Sequence, residues 1–371
     1  MSRPTKIIVN SQNLLHNLEL LKRWTGNHFF CPMVKANAYG HGAELVAKII
    51  ETHGKTDALG VALVEEGLQL RQQGMTMPIV AYGPLSRSMA QLAIENSITP
   101  VVGRSEDLEA LISCKSAKPI KLHLKLNTGM QRIGFDENEM GWLKAYLHQY
   151  SAELQVEGVC THLTHGEEIL QVDGPSRQQI AKFLSMAEGL PGIRHVHKSA
   201  TLAKVGPAGV SDFPFGARPG IGMYGLPHDG RDAGPGLKPV LQWQTELVRI
   251  HQLEKGQSVS YSARWKAMRR SVIGVLPLGY GDGYMRVLSN KGEMLFRGRR
   301  VPVVGSVCMD YIMVDLTESC QDGLPKGGES VVILGEQEGA SVSAVDIAEK
   351  AGTIAYEVVT AISARVAREA V

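Results

Sequence analysis

Lys35 is the residue whose type and position most favour covalent chemistry. It ends the apolar run Phe29–Val34, which anchors the stem of the side chain and directs the amine towards the end of a strand. A lysine that forms Schiff bases needs such a setting, because a less solvated amine loses its proton more easily. Four residues later Tyr39 offers a hydroxyl, and Gly40 and Gly42 let the backbone approach a bound group. The residues alone leave a second interpretation open, a surface lysine that follows a strand.

Other polar residues stand at the ends of apolar runs in the same way. The segment Lys121–Leu126 alternates polar residues with leucine, so Lys125 lies on the face opposite the leucines. A lysine directed into a closed sheet needs a partner or a ligand, since an unpaired buried charge is costly. Taken singly, each of these residues could also be a solvated loop residue. The set is Lys125, Asn127, His162, Ser199 and Arg218.

The elements that must position these residues are short apolar runs that alternate with amphipathic segments. Such alternation predicts a parallel sheet with helical crossovers, and eight strands favour a (β/α)₈ barrel of the TIM type. The carboxyl ends of barrel strands line the active site, which would bring the polar residues together. The predicted strands are His28–Val34, Ala58–Ala62, Pro78–Tyr82, Ile98–Val102, Ile120–Leu126, Leu154–Thr161, Ile193–Ser199 and Ala217–Tyr224.

The pattern changes after about Gly236, where short strand-like segments are separated by glycine-rich turns. A helical pattern over Ser343–Ala370 closes the chain. We therefore predict two domains, a barrel over residues 1–236 and a mainly β domain over residues 237–371.

Composition describes a globular protein with an apolar fraction of 44% and a formal net charge of +2. That balance gives no reason to expect nucleic acid or an anionic membrane as a partner. The five cysteines form no CxxC pair, the segment MSRPTKIIVN lacks the apolar region expected of a signal peptide, and no apolar run approaches the ~18 residues that span a bilayer. We expect a cytoplasmic protein.

Eight blocks of the sequence, in order, resemble the alanine racemase family and cover nearly the whole chain. The resemblance implies a barrel that carries pyridoxal phosphate (PLP), a β-rich second domain, and a homodimer whose active sites are shared between subunits. The implied reaction interconverts L- and D-alanine, and its D-alanine would feed peptidoglycan synthesis or belong to alanine catabolism. The blocks are VKANAYGHG (34–42), KLNTGMQRIGF (125–135), THL (161–163), RPGIGMYG (218–225), VSYSARW (259–265), GYGDGY (279–284), VGSVCMDYIMVDL (304–316) and IAYEVVTAISARV (354–366).

The resemblance also implies roles for individual residues around the cofactor. Lys35 would hold PLP and act as one catalytic base, and Tyr261 of the partner subunit would be the second. Arg218 would face the pyridine nitrogen, and His162 would link Arg218 to Tyr261 by hydrogen bonds. Tyr39, Ser199, the backbone at Gly220 and Ile221, and Tyr356 would hold the phosphate.

For the substrate, Arg132 would contact the carboxylate and the phenolic oxygen of the cofactor. Met309 and Asp310, with Tyr280 and Tyr284 nearby, would shape the substrate entrance from the other subunit. Lys125 is similar to a family lysine that is often carbamylated. No metal is implied.

This chemistry suits these residue types, because racemisation removes a proton from one face of a planar carbon and returns one to the other. A lysine and a tyrosine on opposite faces meet that need, and each positioned base typically contributes ~10²–10⁴-fold. A free tyrosine has a pKa of about 10, so a tyrosine base needs a nearby cation, which the implied His162–Arg218 chain would supply. An arginine only donates hydrogen bonds and therefore favours an unprotonated ring nitrogen.

The sequence departs from the family pattern at three places. Asn127 replaces a usual Asp, and Lys198 replaces a usual Asn, where it would either neutralise phosphate charge or point to solvent; we favour solvent. The segment Leu163–Glu168 differs from the usual small-residue stretch, and the connection from Lys204 to Phe215 looks a few residues long. These changes leave open a preference for serine or another small amino acid.

Several other functions fit parts of the sequence. Residues 220–225 match the GxGxxG pattern of dinucleotide-binding enzymes, which should follow a first strand and open a helix. His162, His165, Glu167 and Glu168 cluster without a recognised zinc spacing. A PLP-binding protein without catalysis usually consists of the barrel alone. A barrel-type PLP decarboxylase would lack the tyrosine block around Tyr261, and it remains the main enzymatic alternative.

Overall fold

A computed structural model describes residues 3–206, 212–228 and 230–371 of the chain. With Lys6–Val9 counted as β1, seven parallel strands form one curled sheet in the order β2-β3-β4-β5-β6-β7-β8. The connection from Lys204 to Phe215 contains residues 207–211, which lie outside the described part. The strands are Leu59–Val61 (β2), Ile79–Ala81 (β3), Ile98–Val102 (β4), Ile120–Lys125 (β5), Leu154–Cys160 (β6), Ile193–His197 (β7) and Gly216–Ala217 (β8).

An eighth segment closes this sheet into a barrel. Phe30 pairs with Ala217 of β8, and Met33 pairs with Gly60 of β2, both in parallel. The Cys31 N–H donates to the Ala217 carbonyl at 2.9 Å on one side of the segment. The predicted eight-stranded barrel is therefore confirmed. Its first strand forms only these single bridges, because Pro32 lies between them and has no N–H to donate.

The predicted strand Ala217–Tyr224 is wrong beyond Ala217. Pro219 cannot donate to a neighbouring strand, and Ile221–Tyr224 form a short 3₁₀ helix. Gly225 ends that helix in the left-handed conformation, with φ +67°. The backbone of Gly220 and Ile221 consequently turns across the barrel mouth and does not continue along the wall.

Helices connect the barrel strands and cover their outer side. Serine, threonine, aspartate and asparagine are the preferred N-caps, and Asn10 and Ser86 cap α1 and α5 through their side chains. The helices of this part are Ser11–Thr25 (α1), Lys35–Tyr39 (α2), Ala43–His53 (α3), Val64–Gln72 (α4), Arg87–Glu95 (α5), Ser105–Ile112 (α6), Met140–Gln149 (α7), Pro175–Met186 (α8) and Ser199–Val205 (α9).

The rest of the chain is rich in β structure, as predicted. Its largest sheet has the order β15-β14-β17-β9-β1-β19, with β18 beside β17, so the N-terminal strand β1 belongs to it. Strands β10, β13 and β16 form a second sheet, and β11 pairs with β12. The strands are Leu241–Glu246 (β9), Arg249–Leu253 (β10), Ser258–Val259 (β11), Trp265–Lys266 (β12), Ser271–Leu276 (β13), Glu293–Phe296 (β14), Arg299–Pro302 (β15), Ile312–Asp315 (β16), Ser330–Gln337 (β17), Ala340–Val342 (β18) and Ala367–Ala370 (β19).

The helical pattern expected over Ser343–Ala370 is only partly right. It forms two short helices, Ala344–Ala351 (α10) and Ala355–Thr360 (α11), separated at Gly352 with φ +74°. The end of the chain is strand β19, which pairs in parallel with β1 from Lys6 opposite Ala367. The open edge of β1 thus takes a segment whose local pattern predicted helix. No helix in the described ranges has the length and apolar character needed to cross a bilayer.

Candidate active site

A cavity of about 630 Å³ opens at the carboxyl ends of the barrel strands. It brings together the predicted catalytic lysine, the predicted phosphate-binding residues and the predicted carboxylate-binding arginine. All but one of these residues come from the barrel, and Tyr356 comes from α11. The predicted residues that line the cavity are Lys35, Tyr39, Lys125, Arg132, His162, Ser199, Arg218, Gly220, Ile221 and Tyr356.

A left-handed turn presents Lys35 and Tyr39 to this cavity. The four residues Ala36–Tyr39 all have φ between 50° and 54°, a conformation that costs non-glycine residues about 1–2 kcal/mol each. The Asn37 side-chain oxygen accepts from the Ala43 N–H at 2.8 Å. The His41 Nδ1–H donates to the carbonyls of Ala38 and Tyr39, at 3.1 and 3.0 Å. Strain of this kind persists only where surrounding contacts fix it, and it is concentrated at functional sites.

The amine of Lys35 lies in an environment that favours its neutral form. Burial is the main cause that lowers its pKa, and the nearby Arg132 cation lowers it further. Glu66 acts in the opposite direction, and its carboxylate also accepts from the Ala36 N–H at 2.7 Å. No sequence motif pointed to Glu66, because it lies on α4 and reaches the turn only in the folded barrel.

Hydroxyls and backbone N–H groups form a cradle at one side of the cavity. The Ser199 Oγ accepts from the N–H groups of Gly220 and Gly222, at 2.9 and 3.1 Å. A Cβ on Gly220 would lie 2.3 Å from the Tyr39 hydroxyl, so only glycine allows this approach. The Tyr39 and Tyr356 rings lie 6.1 Å apart. Burial raises the pKa of both phenols, to about 12 for Tyr356, so both remain neutral donors. This donor set suits a phosphate group.

Arg218 is fixed by a chain of buried histidines beneath the cavity. Its guanidinium donates to His195 Nδ1 at 2.7 Å and to the Thr161 carbonyl at 2.6 Å. Because arginine only donates, His195 Nδ1 must accept, and His195 Nε2–H then donates to His123 Nδ1 at 2.8 Å. Burial, followed by the charge of Arg218, lowers the pKa of both histidines, to about 4 for His123. No motif in the sequence pointed to this role of His195, which lies in β7.

His162 lies in the cavity wall, as predicted, but the described structure does not form the expected hydrogen bond between His162 and Arg218. Within the described structure the Arg218 guanidinium bonds to His195 and the Thr161 carbonyl, and not to the His162 ring. Burial, together with the charge of Arg218, holds the pKa of His162 well below its usual value. A neutral ring therefore faces the cavity.

Lys125 extends from β5 into the cavity, where burial is the largest cause that lowers its pKa. Asn127, which replaces the usual Asp, does not pair with it. The Asn127 amide donates to Gln131 Oε1 at 2.6 Å and to Asp136 Oδ1 at 2.7 Å. These bonds connect residues of the loop that carries Arg132.

The position of Lys198 differs from the solvent-exposed one expected from the sequence. Its side chain does not extend into solvent but lies half-buried in the cavity wall, beside Thr164 and Glu167.

Apart from Tyr356, the predicted residues of the second domain lie away from this cavity. Tyr261, Tyr280, Met309 and Asp310 form an exposed surface, here called the tyrosine face, and Tyr261 is 71% exposed. Backbone bonds hold the surface together, since the Tyr280 N–H donates to the Cys308 carbonyl at 3.0 Å. Ser260 and Ser262 on either side of Tyr261 have φ of 65° and 60°, so this turn is strained as well.

Tyr284, the fifth predicted residue of this domain, is not part of the tyrosine face. It is 1% exposed, and its ring packs near that of Trp243 in the core of the β domain.

The geometry of the described residues does not match two alternative kinds of site, a dinucleotide site and a metal site. The GxGxxG segment follows β8 and forms only the 3₁₀ turn Ile221–Tyr224, so no helix begins there as a dinucleotide site requires. Among residues 3–206, 212–228 and 230–371, no three or more His, Cys, Asp or Glu side chains lie close enough to share a metal ion.

Comparison with known proteins gives one consistent result. Residues 9–228 match the family of alanine racemase N-terminal domains, and residues 240–370 match the alanine racemase C-terminal domain. The alanine racemase of Halothermothrix orenii is 38% identical over 383 aligned residues, which cover 100% of this chain and 97% of the relative. An alanine racemase of Caldanaerobacter subterraneus subsp. tengcongensis is 36% identical, with coverage of 99% and 94%.

Solved structures agree with these relatives. The alanine racemase of Clostridium difficile 630 has a TM-score of 0.86 at 32% identity, with coverage of 100% of this chain and 96% of that one. The Bacillus anthracis alanine racemase, solved with bound L-Ala-P, has a TM-score of 0.88 at 31% identity and the same coverage. Because the matches span both halves of the chain, this protein belongs to the alanine racemase family.

Proposed function

We propose that this protein interconverts L- and D-alanine with PLP bound covalently to Lys35. The observation that carries the proposal is the single cavity that holds a lysine of lowered pKa, a neutral phosphate cradle and Arg218. Membership of a family that uses PLP, and relatives named alanine racemase over the full length, support it. The narrow cradle at Gly220 and its hydroxyl donors fit a phosphate ester.

The cofactor, when bound, supplies the capacity to stabilise negative charge at the α-carbon of an amino acid. The chain's own residues orient the substrate and move the proton. Lys35 holds or releases a proton on one face, and the Tyr261 hydroxyl of the partner subunit does so on the other. Arg132 binds the substrate carboxylate, and Arg218, fixed by His195, donates towards the ring nitrogen. Two bases on opposite faces are what inversion at a carbon requires.

The shared site makes a homodimer part of the proposal. Tyr261 and Met309 are 71% and 52% exposed and lie outside their own chain's cavity, which suits residues that complete another subunit's site. In this arrangement residues 1–236, apart from β1, form the barrel that binds the cofactor together with Tyr356, and the part of residues 237–371 that carries Tyr261 and Met309 reaches the neighbouring barrel. Met309, Asp310 and Tyr280 would shape the substrate entrance; Tyr284, which is buried, would support them from the core. We place the enzyme in the cytoplasm.

Reduction with borohydride tests the covalent link directly. The treated protein should carry one pyridoxyl label, and peptide mass analysis should find it on Lys35 and not on Lys125 or Lys198. A label on another lysine would overturn the assignment. Polarimetry on L-alanine then identifies the reaction: the rotation decays to zero for a racemase, whereas carbon dioxide appears for a decarboxylase. The same assay with L-serine measures substrate preference.

Carbamylation of Lys125 is a separate part of the proposal. Burial lowers the pKa of the Lys125 amine and so increases the share of its neutral form, which is the form that reacts with carbon dioxide. The carbamate would be negative and would face the Arg132 side of the cavity. A crystal structure that shows a bare amine at Lys125 in a bicarbonate buffer would contradict the carbamylation and leave the other parts of the proposed function intact.

A further inference from the structure

Two departures of this chain from its family pattern meet in space. Lys198 stands where the family usually has Asn, and Gly166 lies in the unusual segment after His162. A Cβ on Gly166 would lie 2.3 Å from Lys198 Cε and 3.3 Å from its Nζ. The lysine therefore occupies the space that a side chain at position 166 would fill, and the glycine allows it to enter the cavity wall.

The amine of Lys198 has hydrogen-bonding capacity left for a ligand. An ammonium group has three donors, and in the described structure Lys198 Nζ bonds to the Thr164 carbonyl at a long 3.4 Å. Glu167 is the neighbouring carboxylate, and its Oε2 lies 3.8 Å from His228 Nε2. The next residue, Ser199, is part of the phosphate cradle, so the lysine stem leaves the backbone beside the place where a phosphate would lie.

Among the residues that the structure describes, no charged side chain belongs to the cradle and could balance a phosphate. Its side-chain donors are the hydroxyls of Tyr39, Ser199 and Tyr356, and its other donors are backbone N–H groups. A phosphate monoester carries a charge of about −1.5 to −2 at pH 7. Removing such a charge from water is costly unless a cation compensates it.

We propose that Lys198 supplies a positive charge to the phosphate end of the PLP pocket, made possible by Gly166. This inference rests on the proposed function, because it assumes that PLP occupies the cavity. Lys198 and Gly166 together would strengthen cofactor binding relative to a chain with Asn at position 198.

A binding cycle separates charge from structure. Apoenzyme of the wild type and of Lys198→Met is titrated with PLP and with pyridoxal, which lacks the phosphate. Lys198→Met should weaken PLP binding about tenfold, as expected for loss of one charge-assisted contact, and should leave pyridoxal binding within about twofold. Lys198→Arg should restore most of the loss. Lys204→Met removes an exposed lysine from the same helix and should change neither affinity.

Equal losses for PLP and pyridoxal would show that Lys198 only supports the fold, and no loss for either would overturn the proposal as well. If the wild-type apoenzyme binds neither ligand, the proposed function itself fails. If it binds PLP and racemises alanine while the cycle shows no coupling, only this inference fails.

Two further readouts do not depend on activity. The ³¹P NMR titration of the bound phosphate should move to higher pH in Lys198→Met. Gly166→Ala should displace the Lys198 side chain and also contact Thr201, so it should weaken PLP binding more in the wild type than in the Lys198→Met background, which has no charge left to displace.

Discussion

At the scale of single residues, the chemistry of Lys35 depends on two opposed neighbours. Burial and Arg132 lower the pKa of its amine, and Glu66 raises it. Glu66 cannot move freely, because its carboxylate also accepts from the N–H of Ala36 and of Ala62, at 2.7 and 2.6 Å. The same carboxylate therefore holds the left-handed turn and limits how far the pKa of the lysine falls.

The pH dependence of cofactor capture should report this balance. Only the neutral amine attacks the aldehyde, so the rate at which apoenzyme binds PLP covalently should rise with pH, with a midpoint below the ordinary value of 10.5. Arg132→Met removes a cation and should move the midpoint to higher pH. Glu66→Gln removes an anion and should move it to lower pH. Stopped-flow absorbance measures both shifts, and shifts of the same sign would contradict the assignment.

The two bases should fail differently when they are removed. Lys35→Ala removes both a base and the covalent anchor, so racemisation should fall about 10³-fold or more from either enantiomer. Tyr261→Phe keeps the ring but removes the hydroxyl, so it should slow proton transfer on one face of the α-carbon only. Net racemisation must then fall equally from either enantiomer, because the equilibrium constant is unity, but the variant should still exchange the α-hydrogen of one enantiomer with solvent deuterium and not that of the other. Mass spectra of recovered L- and D-alanine measure this asymmetry, and equal exchange of both enantiomers would mean that the two-base scheme is wrong.

At the scale of elements, the turn after Lys35 is held against helix α11. A Cβ on Gly40 would lie 1.9 Å from the Val359 carbonyl oxygen, so the two backbones touch. Helix α11 also carries Tyr356 of the phosphate cradle. The strained turn, the lysine and the cradle thus lie at a close backbone contact between the barrel and the C-terminal region.

Gly40→Ala should break that contact, and Gly74→Ala is its matched control. Both glycines have φ of +84°, but nothing lies within 4 Å of a Cβ at Gly74. Gly74→Ala should therefore cost only the left-handed conformation, about 1–2 kcal/mol of unfolding free energy. Gly40→Ala should cost about 2 kcal/mol more, because the helix must move, and PLP affinity should fall with it. Urea unfolding of the apoenzyme and PLP titration measure both. Equal costs at the two positions would contradict the proposed contact.

Elements with a strong local pattern were predictable from the sequence, and elements fixed by tertiary contacts were not. Strand β5 followed from strict alternation, and with it the position of Lys125. Strand β19 did not, because its local pattern is helical and only the open edge of β1 makes it a strand. In the site, motif resemblance predicted the cavity residues, but no short motif connects Arg218 with His195 and His123. That chain exists because β5, β6, β7 and β8 are successive strands of the curled sheet, which brings His123 and His195 next to Arg218 at the end of β8.

At the scale of the whole molecule, the two chain ends meet in one sheet. Strand β1 lies between β9 and β19, so the first and last strands are neighbours. From β19, the Arg368 guanidinium donates to the Gly40 carbonyl at 3.1 and 3.2 Å, and so supports the turn after the catalytic lysine. Each chain thus assembles the lysine side of a site from both of its domains. The tyrosine face lies outside that site, so the proposed second base, Tyr261, would be supplied by another chain.

Mixed dimers provide a direct test of this geometry. Lys35→Ala and Tyr261→Phe subunits are each inactive or impaired alone, but a heterodimer contains one site with an intact Lys35 and an intact Tyr261. Random exchange of equal amounts should give heterodimers as half of all dimers, and so about one quarter of the wild-type activity.

The control joins both substitutions in one chain and mixes it with wild type. Its heterodimers contain two half-defective sites, so activity should stay near the quarter that the remaining wild-type homodimers provide, plus the residual rate of Tyr261→Phe. If Lys35 and Tyr261 of the same chain formed the site, the first mixture would regain nothing, whereas the control would retain about half of the wild-type activity. The two mixtures therefore distinguish a site shared between subunits from a site within one chain by activity alone.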